Sequence, residues 1–319
     1  MARTGKESRS TGRASDAPPC RRLSRRVSLW NTNGMRCAAR WRMPVYGAVM
    51  EEQTSEAREK KTILIIEDSP FQSKLIRRHV QLTTDLPVLE AHTLADADAV
   101  LQEHSEEIFL ALVDLNLEDA PDGQALDLCL KWHVPSMVLT ARLDEDVRAK
   151  CLHQHVVDYF IKGSIADMDP LVAAVERVYK NQSLTALVVD DSHTQRVIVR
   201  RLLEVQRLNV LEADSGEAAI AILEEHPEIR LVVTDFHMPG MGGLELVRQA
   251  RAKRRLDELS IIGLSSAGSG PLTARFLKNG ANDFLTKPFE NEEFYWRINQ
   301  SLTTQDLMRT MRDIRQQHA

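Results

Sequence analysis

The chain has 319 residues, which is enough for two domains of ordinary size. Apolar residues make up 43% of it and charged residues 27%, so most of the chain can form packed cores. No apolar run approaches the roughly 18 residues that a membrane span needs, and no signal-peptide-like apolar stretch opens the sequence, so we expect a cytoplasmic protein with no membrane partner.

Charge is unevenly distributed along the chain. Residues 1–49 contain 11 Lys/Arg and 2 Asp/Glu, whereas the remainder contains 30 basic and 44 acidic residues. Binding to nucleic acid phosphates requires an excess of Lys and Arg, so the acidic body argues against nucleic acid as a partner. The 4 cysteines form no C-x-x-C pair and no Cys/His cluster with zinc spacing, which fits a reducing compartment.

Residues 1–60 are predicted to be a disordered basic tail, because the Arg- and Ser-rich start has neither a helical nor a strand period. The same composition is compatible with a transit peptide or with a basic arm for nucleic acid. A further alternative is a mis-assigned start codon, with Met50 of "MEEQTSEAREKK" as the true first residue. The sequence leaves these alternatives open.

From residue 61 onward, short apolar runs alternate with amphipathic stretches. The predicted strands are 62–66, 87–91, 108–113, 136–140, 157–161, 185–189, 209–213, 229–234, 260–264 and 282–286. Helical patterns lie between them. Strands that alternate with helices over this length predict parallel sheets covered by helices on both faces, an α/β fold.

The two halves of this region repeat each other. "ILIIEDS" at 63–69 matches "LVVDDS" at 187–192, and "VLEAHTLADA" at 88–97 matches "VLEADSGEAA" at 210–219. We therefore predict two flavodoxin-like (βα)5 domains in tandem, each with strand order 2-1-3-4-5, over residues 61–182 and 183–303. The join "NQS" at 181–183 is short enough to hold them side by side, and residues 304–319 are predicted to extend the last helix.

Polar side chains follow the predicted strands of the second half. They are Asp190 and Asp191 after its first strand, Asp235 after the third, Ser265 after the fourth and Lys287 after the fifth. Ligands of open parallel sheets bind outside the carboxyl ends of the strands. Since the first and third strands are neighbours in the predicted order, three carboxylates crowd together and repel one another. A hard divalent cation, Mg²⁺, resolves that conflict.

The remaining groups suggest phosphate chemistry. Lys287 is a point charge for an incoming phosphoryl group, and the Ser265 hydroxyl can donate to one of its oxygens. Asp235 is then the predicted nucleophile, which would become an acyl phosphate.

This ordered set, with "DFHMPGMGG" at 235–243, resembles the receiver domain of two-component response regulators. The resemblance covers residues 61–300, with one receiver-like copy in each half. It implies that Asp235 takes a phosphoryl group from a histidine kinase or a phosphotransfer protein. It further implies Mg²⁺ bound by Asp190, Asp191, Asp235 and the backbone carbonyl of His237. Ser265 would move toward the phosphate, Phe284 would follow as an aromatic switch, and the bond before Pro288 would be cis.

The first half departs from this pattern in the loop after its third strand, where "DLNLEDAPDG" replaces the Met-Pro signature and Gly163 replaces the proline. The chemical groups are nevertheless all present. They are the acid pair Glu67 and Asp68, the phosphoacceptor candidate Asp114, the backbone carbonyl of Asn116 for the metal, and Thr140, Lys162 and Tyr159 for phosphate binding and switching. Phosphorylation at Asp114 is predicted, with a chemically silent docking domain as the alternative.

The C-terminal segment has a short apolar seam, Leu307, Met311 and Ile314, at heptad-like spacing. It resembles the helix that leads into the catalytic domain of tandem-receiver diguanylate cyclases. "GGLEL" at 242–246 lacks the acid of the cyclase signature and is interpreted as structural. We therefore expect a phosphorelay protein that is no enzyme and carries no output domain. Phosphorylation would switch the face formed by helix 4, strand 5 and helix 5 of a receiver, which contacts an effector or a second copy in a homodimer.

Two alternatives belong to other classes. A Mg²⁺-dependent phosphatase of the haloacid-dehalogenase kind also forms an aspartyl phosphate, but it needs an acid two residues after the nucleophile, where this chain has His237 and Asn116. A docking scaffold that works without phosphorylation, or a shortened relative of a tandem-receiver cyclase, would use the same fold with no phosphoryl chemistry.

Overall fold

The computed structural model describes residues 61–141, 145, 148, 151, 154, 156–162, 168–266 and 270–318. The predictions for residues 1–60, with Met50 as an alternative start, lie outside the described residues, as does Gly163. Within them the chain forms two parallel sheets of 5 strands each. The described chain contains no helix long and apolar enough to cross a membrane.

The strands of both sheets follow the predicted order. The first sheet contains β1 (Thr62–Ile66), β2 (Val88–Ala91), β3 (Ile108–Asp114), β4 (Ser136–Thr140) and β5 (Asp158–Ile161). The second contains β6 (Thr185–Val189), β7 (Asn209–Ala213), β8 (Ile229–Asp235), β9 (Ser260–Ser265) and β10 (Asp283–Thr286). Their orders are β2-β1-β3-β4-β5 and β7-β6-β8-β9-β10. The predicted tandem of doubly wound sheets is confirmed, with strand ends within one residue of the predicted ones.

Helices connect the strands of each sheet. They are α1 (Pro70–Thr83), α2 (Leu94–His104), α3 (Gln124–Lys131), α4 (Met168–Asn181), α5 (His193–Val205), α6 (Gly216–Glu225), α7 (Gly243–Lys253), α8 (Gly270–Lys278) and α9 (Asn291–Gln317). Between β4 and β5, residues 145, 148 and 151 are helical. Side chains before the helices cap them: the hydroxyl of Ser69 accepts from Gln72 N, and that of Thr93 accepts from Asp96 N.

Each sheet is buried on both faces. In β1, Ile63 and Ile65 pack toward α1 and α4, whereas Leu64 and Ile66 pack toward α2 and α3. All four are fully buried. Continuous apolar runs, as opposed to strictly alternating ones, are what a strand with two covered faces requires. The polar strand ends are thereby left at one rim of each sheet.

The two sheet units contact each other directly beyond the short join. Gln206, which follows α5, is fully buried. Its amide donates to Val157 O of the first unit over 2.8 Å, and Asn181 Nδ2 donates to Gln206 O over 2.8 Å. Val205 packs against the core of the first unit. Because buried polar groups must be hydrogen-bonded, this set defines how the two units meet.

Helix α9 is 27 residues long, so it spans about 40 Å. Its first half packs on the second sheet through Phe294, Ile298 and Leu302. Gln305 Oε1 accepts from Arg230 Nη2 at 2.7 Å, which ties the middle of the helix to β8. The predicted C-terminal helical extension is confirmed. Beyond this tie its apolar seam is solvent-exposed, with Leu307 57%, Met311 59% and Ile314 52% accessible.

The glycines after β8 have separate roles. Gly240 has a φ of 72°, which favours glycine. Gly242 has an ordinary φ of −71°, so its backbone conformation does not require glycine. Gly243 is needed for space, because a Cβ there would lie 2.2 Å from Asp235 O.

Replacing Gly243 with alanine is expected to lower the free energy of unfolding by about 3 kcal/mol, because the methyl group would collide with the backbone that carries Asp235. Urea unfolding of the full chain measures the loss. Gly242→Ala is the matched control, since its Cβ would lie 3.3 Å from its nearest neighbour, Phe236 O. An equal loss for the two variants would contradict the steric explanation.

Candidate functional site

The rim of the second sheet brings an ammonium between two carboxylates. Lys287 Nζ lies 2.8 Å from Asp190 Oδ2 and 2.7 Å from Asp235 Oδ1. Asp190 follows β6 and is 3% exposed, whereas Asp235 ends β8 and is partly exposed. The neighbouring strands β6 and β8 therefore place both acids within reach of the residue that follows β10.

Backbone amides hold the other carboxylate oxygens. Asp235 Oδ2 accepts from His237 N at 2.7 Å, and Asp190 Oδ1 accepts from Ser192 N at 2.9 Å. His237 thus contacts the phosphoacceptor candidate through its amide. Asp191 is solvent-exposed at the same rim, so the described geometry places the predicted acid pair in two different environments.

The charge of Lys287 is stabilised by its partners. Burial alone would lower the pKa of this ammonium, but its hydrogen bonds to Asp190 and Asp235 outweigh that effect, and the pKa is raised. The side chain is therefore a firmly held cation that neutralises the buried Asp190 and the partly exposed Asp235.

The rim of the first sheet has the same arrangement. Lys162 Nζ lies 2.5 Å from Glu67 Oε2 and 2.5 Å from Asp114 Oδ2. Asp114 Oδ1 accepts from Asn116 N at 3.0 Å, which matches the amide contact of Asp235. Glu67 and Asp114 are 1% and 5% exposed. The structure therefore brings the predicted groups of the first half together despite its divergent loop.

The first rim also contains a compact oxygen cluster. Carboxylate oxygens of Glu67, Asp68 and Asp114 all lie within 4.8 Å of one another, and in the described part of the chain no other group of three potential ligands meets that distance. Burial raises the pKa of Glu67 more than its hydrogen bond to Lys162 lowers it. Clustered oxygen ligands of this kind fit a hard divalent cation such as Mg²⁺, which also relieves their repulsion.

The divergent loop of the first unit closes over this cluster. Glu118 N donates to Asp68 Oδ2 over 2.8 Å, and Asp119 Oδ2 accepts from Leu94 N at 2.8 Å. The loop is thereby tied to the start of α2. In the second unit the loop provides the donor and the helix the acceptor: Met241 N of the loop donates to Glu217 Oε1 of α6 over 3.0 Å. The two loops reach the same position with different chemistry.

The predicted hydroxyl residues end the fourth strand of each sheet. Thr140 ends β4 and Ser265 ends β9, and they are 1% and 0% exposed. The backbone links each to its lysine: Lys162 N donates to Thr140 O over 2.7 Å, and Lys287 N to Ser265 O over 2.8 Å. The Lys287–Pro288 peptide bond is cis. Each hydroxyl residue is thus joined by a backbone hydrogen bond to the lysine whose ammonium neutralises the phosphoacceptor candidate.

The two predicted aromatic residues differ in their surroundings. Phe284 is 5% exposed and meets Phe276 edge-on, with ring centroids 5.7 Å apart. Tyr159 is half-buried, and its hydroxyl contacts the carboxylate of Glu292 at the start of α9. Sequence reasoning missed Glu292, Arg148 and Gln206, because their partners lie in the other unit and no local pattern marks them.

Comparisons with known proteins agree with this geometry. The sequence model of the response regulator receiver domain matches residues 186–299. The chain is 37% identical over 123 residues to the chemotaxis protein CheY1 of Helicobacter pylori, covering 38% of this chain and 98% of that protein. It is 34% identical over 119 residues to a CheY homolog of Campylobacter jejuni, covering 37% and 92%. A rice two-component response regulator, ORR5, is 35% identical over 104 residues, covering 33% and 78%.

Among solved structures, a two-component system response regulator/GGDEF domain protein superposes with a TM-score of 0.70 and 40% identity, covering 77% of this chain and 100% of that one. A second structure of this kind has a TM-score of 0.69 and 40% identity, with the same coverage. The chain therefore belongs to the response regulator receiver family. It is a two-component signal transduction protein with two receiver-like units.

Replacing Lys287 with methionine is expected to destabilise the metal-free protein by about 3 kcal/mol, because the buried Asp190 and the largely desolvated Asp235 would lose their shared cation. Because the pKa of Lys287 is raised in the folded state, its stabilising effect is complete below the unfolded-state pKa of about 10.4 and is lost as the pH rises through the folded-state value. The difference between wild type and variant should accordingly narrow above about pH 10.5.

Urea unfolding at a series of pH values measures both effects. Lys278→Met, which removes an exposed lysine at the end of α8, is the matched control. A loss no larger than that of the control, or one that does not change with pH, would show that the lysine bridge does not support the fold.

Proposed function

We propose that this protein is a phosphoacceptor response regulator in which Asp235, and also Asp114, take a phosphoryl group from a histidine kinase or phosphotransfer protein. The observation that carries the proposal is the lysine bridge at each rim, where one ammonium contacts the strand-end aspartate and the acid of the neighbouring strand. A partly buried cation beside a carboxylate nucleophile is a charge arrangement that favours phosphoryl transfer.

The transfer itself needs few groups from the protein. A carboxylate oxygen of Asp235 attacks the phosphorus, a P–O bond forms, and the P–N bond of a phosphohistidine donor breaks with its electron pair left on the imidazole nitrogen. Lys287 stays beside the acceptor and neutralises the phosphoryl oxygens. Ser265, at the end of β9, donates its hydroxyl to one of them. The acyl phosphate is later lost to water.

A magnesium ion would supply charge neutralisation between the acids and the phosphoryl oxygens. In the first unit, Glu67, Asp68 and Asp114 would hold it, with the backbone carbonyl of Asn116 completing the protein ligands. In the second, the ligands would be Asp190, Asp191, Asp235 and the carbonyl of His237. The tight oxygen cluster of the first unit supports this assignment most directly, since its carboxylates already meet the spacing of a shared cation.

Output is proposed to occur by protein contact. Receiver domains interact with kinases or phosphotransfer proteins and with effectors, and a change around Ser265, Phe284 and Lys287 would reach the surface formed by α8, β10 and α9. An effector, or a second copy of the chain in a homodimer, would bind there.

Phosphorylation with acetyl phosphate and Mg²⁺, followed by intact mass measurement, tests the proposal. Wild type should gain up to two phosphoryl groups of about 80 Da each, Asp235→Asn and Asp114→Asn one each, and the double variant none. Removing Mg²⁺ with a chelator should abolish the gain, because the donor's charge would no longer be neutralised.

Asp214→Asn is the matched control, because Asp214 is an exposed carboxylate just after β7 that lies outside both clusters. It should be phosphorylated like wild type. An unmodified wild-type protein, or equal modification of the double variant, would refute the proposed phosphoacceptors. If Asp114 alone fails to gain a phosphoryl group, the second receiver is the working phosphoacceptor and the first is unreactive.

A further inference from the structure

One carboxylate of the second receiver holds two side chains of the first. Glu292, in the first turn of α9, accepts from the Tyr159 hydroxyl and from the Arg148 guanidinium, whose Nε lies 3.2 Å from Glu292 Oε1. Glu292 is 29% exposed and Arg148 37% exposed, so the contact is partly desolvated. The hydrogen bond to Arg148 lowers the pKa of Glu292, which is therefore ionised at neutral pH.

Tyr159 is connected to the first phosphoacceptor candidate through the sheet. It pairs with Val138 in the β4–β5 register. Because side chains alternate along a strand, Thr140 lies on the same face as Val138 and therefore on the face of Tyr159. Three residues after Tyr159, Lys162 contacts Asp114. A shift of Thr140 and Lys162 toward a phosphoryl group thus takes place beside Tyr159.

The second receiver provides a contrast at the same position. Phe284 pairs with Gly263, where the first receiver has Val138. The ring of Phe276 fills the space of the missing side chain, since a Cβ on Gly263 would lie 2.4 Å from it. Phe284 is therefore inside the core, whereas Tyr159 is held at the surface by a group of the other receiver.

The contact is polar and loosely packed, so it can open without disrupting a core. A cavity of about 360 Å³ lies beside it, lined by Val157, Tyr159, Glu292 and Trp296 among others. An interdomain contact that lacks close packing depends on its hydrogen bonds for stability. The buried contact between Gln206 and Val157 lies just before the start of β5, two residues from Tyr159, and can stay in place as a pivot.

We propose that α9 of the second receiver is the partner of the phosphorylation-sensitive face of the first, and that Glu292 holds Tyr159 outward only while Asp114 is unphosphorylated. The proposal rests on the proposed phosphorylation of Asp114. When Thr140 and Lys162 turn to the phosphoryl group, Tyr159 turns with them and leaves Glu292. The state of the first receiver is then passed to the helix whose seam is exposed at the other end.

Hydrogen–deuterium exchange of residues 291–299 in the full chain tests the proposal. Without a phosphodonor, Glu292→Gln and Tyr159→Phe should each raise the exchange rate of residues 291–299 about fivefold. The double variant should exchange at nearly the same rate as either single variant, because both substitutions break the same contact. Glu293→Gln is the matched control, since Glu293 is an exposed neighbour that contacts Arg297 instead. Acetyl phosphate with Mg²⁺ should raise exchange in wild type to the same level, and Asp114→Asn should prevent that rise.

Thermodynamic reciprocity provides a second measurement. If the contact favours unphosphorylated Asp114, breaking it must favour phosphorylation. In an Asp235→Asn background, which leaves Asp114 as the acceptor, Glu292→Gln should lower the concentration of the reversible phosphate mimic beryllofluoride, in the presence of Mg²⁺, that half-saturates the protein by about fivefold, as measured by calorimetric titration. Circular dichroism confirms that the variants are folded.

The outcomes separate this proposal from the one it rests on. Phosphate on Asp114 by mass, with unchanged exchange in residues 291–299, would overturn the coupling and leave the proposed function intact. Exchange that rises equally in Glu293→Gln would overturn it as well. Absence of phosphate on wild-type Asp114 would overturn both for the first receiver, and the mass spectrum identifies that case.

Discussion

Repulsion between carboxylates at the rim of each parallel sheet has the largest consequences for this structure. Two acids from adjacent strands end up beside each other with little solvent, and their repulsion has to be neutralised. In both units a lysine after the last strand does so, by contacting one acid of each strand. The strand order makes this possible, since it puts the first and third strands side by side.

In the proposed function, that same electrostatic arrangement would make the site reactive. A lysine that only paired with buried acids would be a structural ion pair, and such pairs contribute little net stability. Here the acids also form a pocket that suits a divalent cation, and the lysine is positioned for the oxygens of a phosphoryl group. Charge can be redistributed among lysine, metal and phosphate without leaving any buried anion unpaired, which is what a reversible phosphoacceptor needs.

Duplication has produced two receivers with similar sites and different surroundings. The first uses a glutamate where the second uses an aspartate, and its loop donates an amide to the outer acid. The aromatic residue of the second is enclosed by Phe276 beside a glycine, whereas that of the first contacts α9. The two aromatic residues therefore have different surroundings, one at a neighbouring domain and one in its own core, although the local sequences are parallel.

The strands, their order, the duplication and the groups at both rims, including Asp114 and Asp235, could be predicted from the amino-acid sequence. This was possible because apolar runs, strand-end polarity and repeat spacing are local signals that recur at fixed intervals. The folded structure was needed to show that Asp191 is exposed while Asp190 is buried, and that Gly243 is required for space beside Asp235. It alone also showed that Tyr159 contacts Glu292, 133 residues away in the chain. Such contacts depend on how two folded units meet, and no pattern along a single segment encodes the distance between side chains on different domains.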